Sequence, residues 1–163
     1  MKLSAHQERF FWTTAKELLA SPKVQLMNQF IQHGETTCLT HSLCVAYLSY
    51  CFCIRFDLAV DYQSLIRGAL LHDFFLYDWH EKGDRKGLHG FTHPHTALKN
   101  AKTYFTLTPK EEDIIKKHMW PLTLSFPRYK ESFIVSFADK YCSLQETFNL
   151  SSSAFLKRKL SKE

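Results

Sequence analysis

Glycine and proline are scarce, with five of each in 163 residues, which argues against a turn-rich β fold and favours long helices. The five cysteines, Cys38, Cys44, Cys51, Cys53 and Cys142, are odd in number and include no CxxC pair. That excludes a disulfide framework or a zinc knuckle and leaves small buried apolar residues in a reducing cytosol. No glycine loop of Walker type is present. No apolar run approaches the roughly 20 residues that cross a bilayer, so no membrane partner is expected. Polar residues His6, Glu8 and Arg9 follow Met1 too closely for a signal-peptide pattern. The net charge of +5 leans toward phosphate-bearing partners, yet lacks the dense basic stripe of a dedicated nucleic-acid binder. A cytoplasmic protein is expected.

Apolar residues make up 45% of the chain and aromatics 15%, including 14 phenylalanines, enough to build a real core. The length fits one domain over residues 1–163. Its core is expected at about 34–148, with N-terminal helices over 4–32 packed on it and a basic tail over 151–163. The fold class is all-α, with seven or eight helices. Ser4 caps a first helix that ends near Ser21-Pro22, and a second runs from Pro22 to about Gln32 with Gly34 as its stop signal. A third, strongly apolar helix covers about 37–55, and a fourth runs from the N-cap Asp61 to Phe74. Residues 75–92 show no periodicity, and loops of such length are commonly functional. Further helices are expected over about 93–105, 108–119 (with Glu111 at capping-box spacing from Thr108) and 130–148. A basic one follows Ser151-Ser152-Ser153.

Against this background stand His72-Asp73 and a set of isolated partners: His41, His93, His118 and Asp139, spaced 20 to 31 residues apart. Such intervals match one helix plus one connection. Counting along each helix puts His41, His72, Asp73, His118 and Asp139 on apolar faces. An ionised carboxylate buried alone costs several kcal/mol or more, and a divalent cation with neutral imidazoles removes that cost. One ion would take His41, His72, Asp73 and Asp139, and a second would take Asp73, His93 and His118, with Asp73 the catalytic bridge and holder of activated water. Singly, each residue has a plainer reading. A histidine on an apolar face is usually a hydrogen-bonded core residue, and Asp73 or Asp139 pairs readily with a nearby arginine or lysine.

The segments Thr37-Cys38-Leu39-Thr40-His41, Arg67-Gly68-Ala69-Leu70-Leu71-His72-Asp73 and Ser136-Phe137-Ala138-Asp139-Lys140 together resemble the HD-domain superfamily of metal-dependent phosphohydrolases. The resemblance implies an all-α fold with the site among its helices. His93-Pro94-His95 and Lys116-Lys117-His118 look like the additional histidines of the two-metal branch, with His95 and His89 as alternatives to His93. The glutamates that mark the alarmone hydrolases and the nucleotidases are absent, as is the Gly-Tyr-Pro signature of cyclic di-GMP hydrolases. The pattern is most similar to small bacterial HD phosphohydrolases.

The expected activity is hydrolysis of a phosphomonoester or phosphodiester, nucleotides among the candidates, by metal-activated water. One or two divalent ions are expected: manganese, iron, magnesium, nickel or zinc. Two other classes stay open, a di-iron oxygenase and a non-catalytic nucleotide-binding module. Residues expected to contact substrate are His89, His95, Lys82, Arg85, Trp120 and Lys140, together with others on the loop after the motif such as Asp78, Trp79, His80 and Lys86.

Overall fold

The computed structural model describes residues 3–79 and 89–148, except for the side chains of His33 and His89. Seven α-helices and one small hairpin make up the described residues. Helix α1 (Ala5–Leu19) starts at a capping box between Ser4 and Gln7. Helix α2 (Pro22–Gln25) passes into a 3-10 turn over Leu26–Gln29. Strands β1 (Ile31–His33) and β2 (Thr36–Thr37) follow, then α3 (Cys38–Arg55) and α4 (Tyr62–Leu71). Helices α5 (His89–Tyr104), α6 (Pro109–Lys117) and α7 (Lys130–Thr147) complete the domain. Helix α3 packs on α4 and α7, α4 packs on α6, and α6 packs on α7 and α5, so these elements surround one buried centre.

The all-α expectation holds, and α3, α4 and α6 start where the sequence placed them. Thr37, Asp61 and Thr108 each accept a backbone N–H from the residue three further on. Three elements differ. The helix expected over 22–32 breaks after one turn. The β-branched Ile31, Thr36 and Thr37 pair in a hairpin across Gly34, whose φ of +57° suits glycine. Helix α5 begins four residues before His93, so Pro94 lies in its second turn and costs it the bond to the Gly90 carbonyl. Helix α4 stops at Leu71 instead of Phe74. His72 takes its C-cap position, and Asn100 donates to the Phe74 and Phe75 carbonyls that no helix bond reaches. The basic helix expected after Ser153 lies outside the described residues.

Helix α3 is long and apolar enough, by length and composition, to cross a bilayer, but 67% of that window is buried inside the domain. All five cysteines are buried and none forms a disulfide. Helices α4 and α6 approach closely at Gly68. A Cβ there would lie 2.6 Å from Ile114 Cδ1. One residue earlier on α4, the Arg67 guanidinium donates to buried Glu111 at 2.6 Å, fixing how the two helices slide past each other.

Candidate metal centre

Four residues beyond Gly68 is His72, and four beyond Ile114 is His118, so the close approach of α4 and α6 delivers two imidazoles side by side. Their ring centroids are 4.8 Å apart. Each histidine occupies the C-cap of its helix and donates from Nδ1 to the carbonyl three residues back: His72 to Ala69 at 2.7 Å, His118 to Ile115 at 2.9 Å. These bonds satisfy helix-end carbonyls and turn both Nε2 atoms toward the centre. The two helix C-termini also bring partial negative charge to the same place, which favours a cation there.

The remaining donors come from the other elements. His41, in the first turn of α3, places Nε2 at 3.1 Å from Asp139 Oδ1, contributed by α7. His93, from α5, places Nε2 at 2.8 Å from His118 Nε2 and 3.2 Å from Asp73 Oδ1. All six predicted ligands are thus brought together and buried. The two oxygens of Asp73 face different partners. Oδ2 lies 3.3 Å from His72 Nε2 and 3.9 Å from His41 Nε2, whereas Oδ1 lies 3.2 Å and 3.6 Å from His93 and His118.

The electrostatics follow from burial and crowding. Burial pulls the His41 imidazole down, but hydrogen bonds to Asp139 and Glu146 outweigh it and raise its pKa to about 9. His72 rises well above the usual range in the same way, against burial, through Asp73 and Asp139. Burial raises both aspartates, yet Asp73 is held far below the carboxylate range by His72 and His93, and Asp139 by His41 and His72. His118 is pushed down to about 3 by burial and by His72 and His93 beside it, which leaves it in the neutral form that coordinates a cation.

The donor set fits a metal ion. His41, His72 and Asp139 have ligand atoms within 4.8 Å of one another, as do His72, Asp73 and His118, and every member is buried. Asp73 Oδ1 and His72 Nε2 are buried with no hydrogen-bond partner, a costly arrangement that a coordinated cation relieves.

Several supporting residues escaped the sequence reading. Glu146 is buried on α7 and accepts from His41 Nδ1 at 2.8 Å, a carboxylate behind a histidine of the cluster. It lies seven residues after Asp139, on the same helix face, and that spacing was its available signal. Gln32, on β1, donates to Asp73 Oδ2 at 2.6 Å and accepts from Cys38 at 3.2 Å. The expected helix over 22–32 hid it.

Among the expected substrate contacts, His95 is exposed two residues past His93, which is buried among the clustered donors. Trp120 stacks edge-on with Phe126, Phe133 and Phe137 in an aromatic cluster. Lys140 does reach the centre. It lines a cavity of about 580 Å³ together with Asp73, His93, His118, Asp139 and Trp79. Its ammonium donates to the His118 carbonyl at 2.8 Å and to the Ser136 carbonyl and hydroxyl, so it also ties the end of α6 to α7. Burial lowers its pKa despite Asp139 and Asp73 nearby. His80, Lys82, Arg85 and Lys86 lie outside the described residues, as does the His89 side chain.

The chain matches no protein-family profile, no curated protein and no solved structure.

Proposed function

We propose that the protein is a metal-dependent phosphohydrolase of the HD type, acting on a small phosphomonoester or phosphodiester in the cytoplasm. The observation that carries this reading is the division of Asp73. One carboxylate oxygen faces His72 and His41, and the other faces His93 and His118. His41, His72, Asp139 and Asp73 Oδ2 would hold one divalent ion; His93, His118 and Asp73 Oδ1 would hold the other. When bound, such ions supply an activated water and neutralise charge on a phosphoryl group.

The chain's own groups do the rest. His41 and His72 are fully buried, whereas His93 and His118 line the cavity, so substrate would reach the centre from the α5–α6 side. Lys140 brings the cavity a cation beside Asp139 that would offset phosphate charge. Trp79 gives the wall an aromatic surface against which an organic leaving group would rest.

The deciding experiment is metal analysis of protein purified without chelators, with phosphatase assays in manganese or magnesium. Two ions per chain, lost in a His72→Ala/Asp73→Ala variant, with phosphate release on a panel of phosphoesters, is the expected result. Oxygen uptake coupled to substrate after anaerobic iron loading, without phosphate release, would overturn hydrolysis. Binding of a nucleotide without turnover under any metal would make the protein a binding module.

A further inference from the structure

The side of α7 facing away from the metal centre is also apolar. Ile134, Phe137, Tyr141, Leu144 and Phe148 recur at steps of three, four, three and four, the spacing of a coiled-coil seam. Helix α3 sets Leu48 and Phe52 beside them, and Phe56, just past its end, follows at the same step of four. Between the two helices runs a groove of about 690 Å³, walled by Leu48, Phe52, Phe133, Ile134, Phe137 and Tyr141. A helix that is apolar on both faces calls for cover on both. The inner face of α7 has it, with Val135, Cys142 and Glu146 buried. The outer face and the adjoining end of α3 do not: Phe137, Tyr141, Leu144 and Phe148 of the one and Phe52 and Phe56 of the other are between 46% and 65% exposed.

We propose that this face is the interface of a homodimer, in which α7 of a second copy lies along the α3–α7 groove. Two arguments select a second copy. The first is area. Large side chains of this kind present roughly 150–250 Å² each, so the exposed parts of these six amount to roughly 600 Å². That is at or above the largest apolar patch of about 300–600 Å² on typical monomers, and near the roughly 800 Å² per partner of a stable interface once the groove walls are included. The second is self-complementarity. A twofold axis sets the same surface against itself, and the seam carries no charged residue, so the two copies meet without like-charge repulsion. The inference is independent of the reaction at the metal centre. It adds that the helix presenting Asp139 is clamped from both sides.

The test is sedimentation equilibrium and light scattering on the full chain. Wild type is expected at twice the 19.1 kDa chain mass at micromolar concentration. A Phe137→Glu/Tyr141→Glu variant is expected as a monomer with an unchanged helical circular dichroism spectrum, its dimer dissociation constant raised about 30-fold or more. Should that variant fail to fold, Leu144→Lys, one turn along the seam, gives the same reading. A wild type that stays monomeric at about 100 μM, or a seam variant that folds and still dimerises, would overturn the proposal. So would a chain truncated after Phe148 that dimerises when the full chain does not, which would assign the groove to residues 149–163.

Discussion

Replacing Gly68 with alanine tests whether the α4–α6 contact sets the geometry of the centre. The added methyl would lie 2.6 Å from Ile114 Cδ1 and 3.1 Å from Ile114 Cβ and Cγ2. Carbon atoms in comfortable contact sit about 3.5–4.0 Å apart, so Ile114 must shift or the helices must separate. Overpacking of this kind costs about 1–3 kcal/mol, while alanine in place of glycine within a helix returns about 1 kcal/mol. The net expectation is a loss of about 1 kcal/mol, or a fall in Tm of roughly 2–4 °C for a domain of this size. Ile114→Val alone should cost about 1 kcal/mol for its lost methyl. In the double variant the valine lacks the Cδ1 atom that clashes, so the second change should cost almost nothing, a coupling of about 1 kcal/mol. Urea unfolding of the four proteins, followed by circular dichroism, closes the cycle. If Gly68→Ala is instead more stable than wild type by the full helix-propensity gain, or if the two changes add, the close approach is not what holds the helices in place. Because His72 and His118 lie one turn beyond the contact, Gly68→Ala should weaken metal binding in the same samples. Ile114→Val should restore it.

Three shorter predictions concern other parts of the centre and its frame. Glu146→Ala should lower metal affinity roughly 10- to 100-fold, because His41 loses the carboxylate that orients its Nδ1, and Glu146→Gln should recover part of the loss. A competition titration with a metal-sensitive dye reads this, and equal affinities in all three proteins would remove Glu146 from the site. His93→Ala should lower metal stoichiometry, while His95→Ala should leave it untouched. Elemental analysis with the opposite pattern would place the wrong histidine at the centre. Asp113 is raised by burial but held below its ordinary value by Lys117, by the Arg128 N–H and by Ser132. A depressed pKa means its stabilisation is fully present above about pH 4 and is lost as pH falls through the folded value. The gap in urea midpoint between wild type and Asp113→Asn should therefore be level from pH 5 to 8 and close in acid; a gap of constant size down to pH 2 would contradict it.

Five of the six clustered residues were legible in the sequence because each carries two independent signals, a metal-binding side chain and a place on an apolar helical face; His93 was read instead from the resemblance and from the proline that follows it. Helix starts were legible for a similar reason. Asp61 and Thr108 are capping residues whose effect depends only on the next three positions. What stayed hidden depends on distant partners. Gln32 matters only because a hairpin turns it toward Asp73, 41 residues away, and a glutamine between Ile31 and His33 gives no hint of that. The start of α5 was misplaced because proline at a helix start is the commoner arrangement, and the extra turn before it is a tertiary effect. Trp120 suggested a stacking platform as an aromatic beside a loop, but the phenylalanines that cover it come from α7 and from Phe126.

The end of α4 explains why a histidine and an aspartate can stand next to each other and still serve one centre. Within a continuous α-helix, adjacent side chains diverge by about 100°, so one of the two would face away from the ion. Helix α4 avoids this by stopping at Leu71. His72 keeps helical dihedrals and spends its Nδ1 on the last turn, while Asp73 enters a tight turn closed by a 2.8 Å bond from the Phe75 N–H to its own carbonyl. The helix end supplies two things at once: a carbonyl that orients one ligand and a change of direction that aims the other. Helix α6 uses the first of these devices at His118, where its carbonyl is in turn satisfied by Ser136 and Lys140 from α7. Extending α4 by a turn would therefore break up the cluster even with all six residues retained, since Asp73 would rotate out of reach of His93 and His118.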